Sequence, residues 1–168
     1  MTIYQKKVCL LGDFAVGKTS LIRRFVERRF DDSYLTTVGV AVSRKQITYP
    51  DSSLNLLIWD LAGGRDHRQT GYLTGVSGSL IVCDLTRRVT LASYREYTEQ
   101  LYTINPKAQV VLLANKSDLI DNRSITDEEL KTIAGELKAP WLLTSAKNGD
   151  DVDRAFILLA DMLMGDAG

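Results

Sequence analysis

The sequence predicts an α/β domain in which a mixed, mostly parallel sheet of six strands carries about five helices on its two faces. Three observations predict it. Short apolar runs alternate with segments of helical period, one pair of runs is joined by turn chemistry, and no repeat, low-complexity tract or linker divides residues 1–168, so one domain is expected. Val8 to Leu11 reads as a buried strand. Thr19 to Arg29 follows as a helix, with Leu21, Ile22, Phe25 and Val26 on one face and Arg23, Arg24, Glu27 and Arg28 on the other. Val40 to Tyr49 alternates, Pro50-Asp51-Ser52-Ser53 supplies a turn, and Leu54 to Trp59 returns, which makes an antiparallel hairpin. Leu61 to Gly78 has glycine at 63, 64, 71, 75 and 78 and no clean period; it reads as a mobile stretch or a frayed short helix. Ser79 to Leu85 is a strand, Thr90 to Ile104 a helix and Gln109 to Ala114 a strand. Thr126-Asp127-Glu128-Glu129 is a capping box that opens a helix running to about Lys138. Trp141 to Thr144 is the last strand, and Asp151 to Met164 the last helix, with Val152, Ala155, Phe156, Leu159 and Leu163 inward.

Composition narrows the function. The 168 residues are 45% hydrophobic and 25% charged, which suits a globular domain and excludes a disordered chain. Lysine plus arginine total 21 and aspartate plus glutamate total 21, so no broad field attracts nucleic acid or acidic membrane, and binding must come from a local site. No apolar run approaches the roughly 20 residues that span a bilayer, and the first residues lack the apolar stretch of a signal peptide. Residues 162–168 contain no cysteine and Thr2 excludes an N-myristoyl glycine, so a cytoplasmic protein without a membrane anchor is expected. Cys9 and Cys83 each lie in an apolar run and read as buried small hydrophobes. Arg23, Arg24, Arg28 and Arg29 read as a solvated helix face.

The chemistry begins at Gly12-Asp13-Phe14-Ala15-Val16-Gly17-Lys18-Thr19, which fits G-x-x-x-x-G-K-S/T between a strand and a helix. Such a loop curls so that its N–H groups surround a polyphosphate at the positive end of the helix dipole. Lys18 then stands against the β and γ phosphates, and the Thr19 hydroxyl is a hard oxygen ligand for Mg²⁺. That ion calls for a further oxygen at a neighbouring strand end, where Asp60 follows Trp59; Gly63 offers an unhindered N–H to a terminal phosphate. Alone, the Asp60-to-Gly63 spacing fits a strand-ending turn equally well. Asn115-Lys116-Ser117-Asp118 ends another strand. A carboxylate there accepts from the N1–H and 2-amino group of guanine, whereas adenine presents an acceptor at N1 and no neighbouring amino group. Ser145-Ala146-Lys147 follows the last strand, and the Ala146 N–H suits guanine O6.

In chain order, Gly12 to Thr19, Thr37-Val38-Gly39, Trp59-Asp60-Leu61-Ala62-Gly63, Asn115 to Asp118 and Ser145 to Lys147 resemble the Ras-like small GTPases, most of all their Rab branch. The resemblance spans the chain and implies a P-loop NTPase G domain that binds GDP or GTP with Mg²⁺ as a molecular switch. It implies nucleotide contacts from Asp13, Phe14, Ala15, Val16, Gly17, Lys18, Thr19, Ser20, Phe30, Tyr34, Thr37, Gly63, Asn115, Lys116, Asp118, Ser145, Ala146 and Lys147. Phe30 would pack edge-on against guanine and Tyr34 would close over the phosphates. Thr19, Thr37 and, through water, Asp60 would hold the metal; Lys18, Thr37 and Gly63 would serve catalysis. Residues 30–42 and 60–76 would meet an exchange factor, a GTPase-activating protein and an effector. Trp59 resembles the family's effector-facing aromatic, with ordinary packing an equal alternative.

Three departures bear on mechanism. Gly64 stands where the family has the glutamine that orients the attacking water. Phe14 occupies a P-loop position that the family keeps small, and its bulk obstructs an inserted arginine finger, a device that contributes about 10³ to 10⁵ in rate. Arg65 replaces the following glutamate, and the second switch is slightly short. Slow GTP turnover is therefore expected, with Arg65, His67, Gln69 or a partner's group as substitutes for the missing amide. The alternatives are a hydrolysis-deficient GTP-binding module and a G domain excised from a larger regulatory protein. An ATP-dependent small-molecule kinase is disfavoured, because it would leave Asn115 to Asp118 and Ser145 to Lys147 idle.

Overall fold

The computed structural model describes residues 1–32, 37, 39–64 and 68–166, with Arg68 and Gln69 described by their backbone. A six-stranded sheet runs in the order β2-β3-β1-β4-β5-β6. Its strands are β1 (Thr2–Gly12), β2 (Val40–Thr48), β3 (Ser52–Leu61), β4 (Val76–Asp84), β5 (Gln109–Asn115) and β6 (Trp141–Leu143). β2 and β3 pair antiparallel; β3, β1, β4, β5 and β6 pair parallel. The helices are α1 (Lys18–Glu27), α2 (Arg68–Tyr72), α3 (Val89–Ile104), α4 (Asp127–Leu137) and α5 (Val152–Gly165), with a 3-10 turn over Ile120–Asn122. Among the described residues, the expected mixed sheet with five helices is what the chain forms.

Two apolar layers cover the sheet. On one face Leu21, Ile22 and Phe25 of α1 meet Val152, Phe156 and Leu159 of α5 over Val8, Leu10 and Ile58. Phe25 and Phe156 stack with ring centroids 4.2 Å apart. On the other, Tyr94, Tyr97 and Leu101 of α3 and Leu130 and Ile133 of α4 cover Cys9, Leu11, Ile81 and Leu112. Both cysteines are buried and free, as small hydrophobes are. Among the described residues, no helix is long and apolar enough to cross a membrane.

The boundaries depart from the sequence expectation for identifiable reasons. β1 begins at Thr2, six residues before Val8, because Thr2 to Lys7 pair with Ser52 to Leu57 while remaining partly exposed, so no apolar run announces them. The hairpin turn is tighter than Pro50 to Ser53: the Tyr49 N–H donates to the Ser52 carbonyl at 2.8 Å, and Ser53 already pairs with Thr48. The segment from Leu61 to Gly78 contains the short helix α2 and surrenders Val76 to Gly78 to β4, whose glycine and serine hide a strand sandwiched between helices. α1 stops at Glu27, two residues before Arg29, because Arg28 turns left-handed with φ 60°. The capping box forms as expected, with the Glu129 N–H donating to Thr126 Oγ1 at 3.2 Å.

The parallel strands all point their carboxyl ends to one edge. Chain connections leave β1 in opposite directions on its two sides, toward β3 and toward β4, and a crevice opens at such a reversal.

Candidate functional site

Gly12 ends β1, and the loop after it delivers Gly17 to the start of α1. Gly17 has φ 104°, and no side chain caps the helix, so the first N–H groups of α1 are left for a ligand. Ala15 and Lys116 adopt positive φ without being glycine, at 64° and 70°. Strained backbone of this kind persists where surrounding contacts hold it. Here the Lys116 Nζ donates to the Ala15 carbonyl at 2.9 Å and lies 2.9 Å from Asp84 Oδ2, joining the two loops. A second tie runs parallel to it: Asn115 Nδ2 donates to the Val16 carbonyl at 3.0 Å, while Thr144 Oγ1 donates to Asn115 Oδ1 at 3.1 Å.

Lys18 lies buried at 6% exposure, with Nζ donating to the carbonyls of Gly12 and Asp13 at 3.0 Å each. Burial pushes its pKa down to about 8, against the opposing pull of the Asp60 and Asp13 carboxylates. Thr19 Oγ1 donates to Asp60 Oδ2 at 2.6 Å and lies 2.5 Å from Thr37 Oγ1, which reaches the same carboxylate oxygen at 3.1 Å. Asp60 Oδ1 is buried without a hydrogen-bond partner among the described residues, and burial raises the pKa of this carboxyl. Two hydroxyls and a carboxylate with an oxygen to spare fit a small hard cation that keeps waters and ligand oxygens in its shell. No group of three His, Cys, Asp or Glu side chains able to hold a metal exists among the described residues, so such a cation depends on hydroxyls and ligand phosphates.

At the other end, Ser145 Oγ donates to Asp118 Oδ1 at 2.8 Å and the Asn148 N–H donates to Ser145 Oγ at 3.0 Å. A cavity of about 360 Å³ connects both ends; its walls include Phe14, Lys18, Phe30, Thr37, Asp118 and Ala146. Ala15, Gly17, Thr19, Ser20, Gly63, Asn115, Lys116 and Lys147 also line it. Val16 contributes its carbonyl to Asn115 and buries its side chain in the core. Gly63 lies directly on the phosphate loop, where an added Cβ would stand 2.5 Å from the Phe14 backbone nitrogen. Phe14 itself is 53% exposed. Tyr34, Arg65 and His67 lie outside the described residues, as does the side chain of Gln69.

Several partners were invisible to sequence reasoning. The Asp13 carboxylate is engaged by α3, accepting from Ser93 Oγ at 2.6 Å and Tyr97 Oη at 3.1 Å. Arg87 Nη1 donates to the Phe14 carbonyl at 2.8 Å. The reading of the α1 arginines as a solvated face needs correction at Arg24, while Arg28 and Arg29 are exposed as expected. Arg24 Nε donates to the Ala146 carbonyl at 2.8 Å, Arg28 pairs with Asp153 and Arg29 with Glu27. No spacing rule carries the Arg24 and Arg28 contacts, because each partner lies on another segment. Trp59 is half-buried against the α3 layer, with Lys7 Nζ 3.6 Å from its ring centroid.

Comparison with known proteins agrees with this geometry. The family model described as the Ras family matches residues 7–164. The human Ras-related protein Rab-22A is 36% identical over 160 residues, covering 94% of this chain and 82% of that protein. The Ras-related protein SEC4 of Saccharomyces cerevisiae is 34% identical over 160 residues, covering 94% and 74%. The human Ras-related protein Rab-27A is 33% identical over 177 residues, covering 96% and 79%.

Proposed function

The chain belongs to the Ras family of small GTPases, and from that premise we propose a switch that binds GDP and GTP with Mg²⁺, selects guanine through Asp118 and Ala146, and hydrolyses GTP slowly. The observation that carries this reading is the single cavity of about 360 Å³ that joins Lys18 and Thr19 to Asp118 and Ala146. A polyphosphate in it would meet the α1 N–H groups and the Lys18 ammonium. Thr19 and Thr37 would hold the Mg²⁺ directly and Asp60 through water; the orphaned Asp60 Oδ1 supports this assignment. When bound, the ion neutralises charge on the β and γ oxygens. The Gly63 N–H would approach the terminal phosphate. Asp118, oriented by Ser145, would accept from the N1–H and the 2-amino group, and adenine would leave that carboxylate desolvated with the Ser145 bond but neither donor of the base.

Gly64 contributes no side chain to orient water, and Phe14 narrows the approach of any inserted arginine. Gly64 supports slow unaided turnover, below about 10⁻⁴ s⁻¹, and Phe14 supports weak acceleration by a partner's arginine. Gly64 equally supports a second reading, a binding module toggled by exchange alone. Residues 30–42 and 60–76 are proposed to meet an exchange factor, a GTPase-activating protein and an effector, in the cytoplasm. Chromatography of nucleotide released from the purified protein, followed by timed single-turnover hydrolysis with and without Mg²⁺, tests the proposal. Guanine nucleotide with slow Mg²⁺-dependent release of phosphate is expected. Undetectable phosphate release establishes the second reading, and brisk unaided turnover or bound adenine nucleotide overturns both.

Lys18 adds a pH signature. Phosphates restore its ordinary protonation, so binding takes up a proton above pH 8. Affinity of metal-free protein for GDP should fall as pH rises above about 8, by up to about tenfold per unit. Stability of the empty protein runs the other way. Between about 8 and 10.5 the unfolded chain keeps the lysine proton that the folded chain has lost, so stability rises with pH. Calorimetry in EDTA at two pH values, in buffers of different ionisation enthalpy, reads the proton uptake; no uptake above pH 8 contradicts it.

A further inference from the structure

The turn after β6 is held by an arginine from a different element. Arg24 Nε donates to the Ala146 carbonyl at 2.8 Å and Nη2 donates to the Lys147 carbonyl. The turn also closes on itself, with the Gly149 N–H donating to the Ser145 carbonyl at 2.7 Å. A planar trans peptide keeps its carbonyl and N–H on opposite sides. With the Ser145 carbonyl engaged by Gly149 and the Ala146 carbonyl engaged by Arg24, the N–H groups of Ala146 and Lys147 are turned the other way, and both residues line the cavity. The Arg24 stem packs on the same turn, its Cδ 3.7 Å from where a Cβ of residue 149 would stand.

Resting on the guanine reading above, we propose that Arg24 is a positioning residue for purine selection, holding two carbonyls of the 145–149 turn so that the Lys147 N–H, which shares its peptide with the Ala146 carbonyl, is aimed at the purine 6-oxo group. The cation on the Ala146 carbonyl polarises the Ala146–Lys147 amide and strengthens its N–H as a donor. Arg24 also stands on the helix that begins at Lys18, so the base-reading turn and the phosphate-reading helix share one strut. Docking of α1 on α5 does not depend on it. Phe25 and Phe156 stack, and Arg28 Nη1 lies 2.5 Å from Asp153 Oδ1.

That independence supplies the control. Release of N-methylanthraniloyl-GDP from the full chain, chased with excess GDP, should be about tenfold faster or more in Arg24→Leu, because charge-assisted bonds to two carbonyls are lost. Arg24→Lys, with one ammonium for two carbonyls, should recover part of the difference. Arg28→Ala should release at the unsubstituted rate. Competition with GDP, IDP and ADP separates aim from general loosening. GDP and IDP both carry the 6-oxo group and should weaken by the same factor in Arg24→Leu, while the weak binding of ADP should not change. Preference for GDP over ADP then narrows about tenfold.

Unsubstituted release from Arg24→Leu overturns the proposal, as does equal weakening of GDP and ADP, or an Arg28→Ala variant that behaves like Arg24→Leu. If Arg24→Leu does not fold, Arg24→Lys carries the test: several-fold faster release with a narrowed preference is expected, and an unchanged rate overturns it. Should the unsubstituted protein show no preference for GDP over ADP, the guanine reading fails first, before any variant is compared.

Discussion

Asp118→Asn should lower GDP affinity by about 10⁴ and raise preference for xanthosine diphosphate, measured by competition against a fluorescent guanine nucleotide. Guanine offers two donors side by side, N1–H and the 2-amino group, and a carboxylate accepts both. An asparagine keeps one acceptor and replaces the other with an amide NH₂, which confronts a donor. Ser145 Oγ holds Asp118 Oδ1 at 2.8 Å, a bond that the asparagine oxygen can also accept, so the amide nitrogen takes the place of Oδ2. Xanthine carries a carbonyl at C2 in place of the amino group and so matches the amide. Asparagine is close in shape to aspartate and keeps the Ser145 bond, so the melting temperature of the empty protein should barely move. A variant that keeps its GDP preference contradicts the base assignment.

Gly17→Ala should cost nucleotide affinity at least about 10² and destabilise the fold by about 1–3 kcal/mol. Two independent effects combine. At φ 104° a side chain enters a backbone region that L residues rarely occupy, and the new Cβ would stand 2.3 Å from Asn115 Nδ2. That amide supplies the bond to the Val16 carbonyl at 3.0 Å, so its displacement parts the phosphate loop from the base loop. Gly135→Ala is the matched control. Residue 135 is an exposed position in α4 with nothing within 4 Å of an added Cβ, and alanine there should stabilise the helix by about 1 kcal/mol. Denaturation and GDP titration of both variants check the pair; equal behaviour of the two contradicts the steric account.

Sequence reasoning reached what is encoded locally. The G-x-x-x-x-G-K-T spacing, the hairpin alternation and the Thr126 cap each depend on residues close together in the chain, so each left a readable trace. The first half of β1 left none. Its residues pair with β3 but are only partly covered, and hydrophobic periodicity reports coverage rather than pairing. Val76 to Gly78 failed for the reverse reason: Ser77 and Gly78 resemble loop residues, though an added Cβ at 78 would stand 3.0 Å from the Gln109 carbonyl, where β5 approaches. In the candidate site, the cavity-facing residues of the 12–19, 115–118 and 145–147 segments were legible as motifs, Phe30 and Thr37 came with the family resemblance, and Asp31, Asp32 and Leu119 left no signal. The supports of these residues were not legible. Arg24 reaches a turn 122 residues away, and Ser93 and Tyr97 reach back 80 and 84 residues to Asp13, distances over which no helical or strand period survives. A helical wheel sees only its own helix, which is why Arg24 looked like one more solvated cation.

Titration calorimetry of GDP and ADP into nucleotide-free protein in magnesium buffer tests the central claim most directly. Binding of GDP tighter than ADP by about 10⁴ or more is the result this account predicts. Equal affinity for the two diphosphates would contradict it, because the cavity would then be reading phosphate alone.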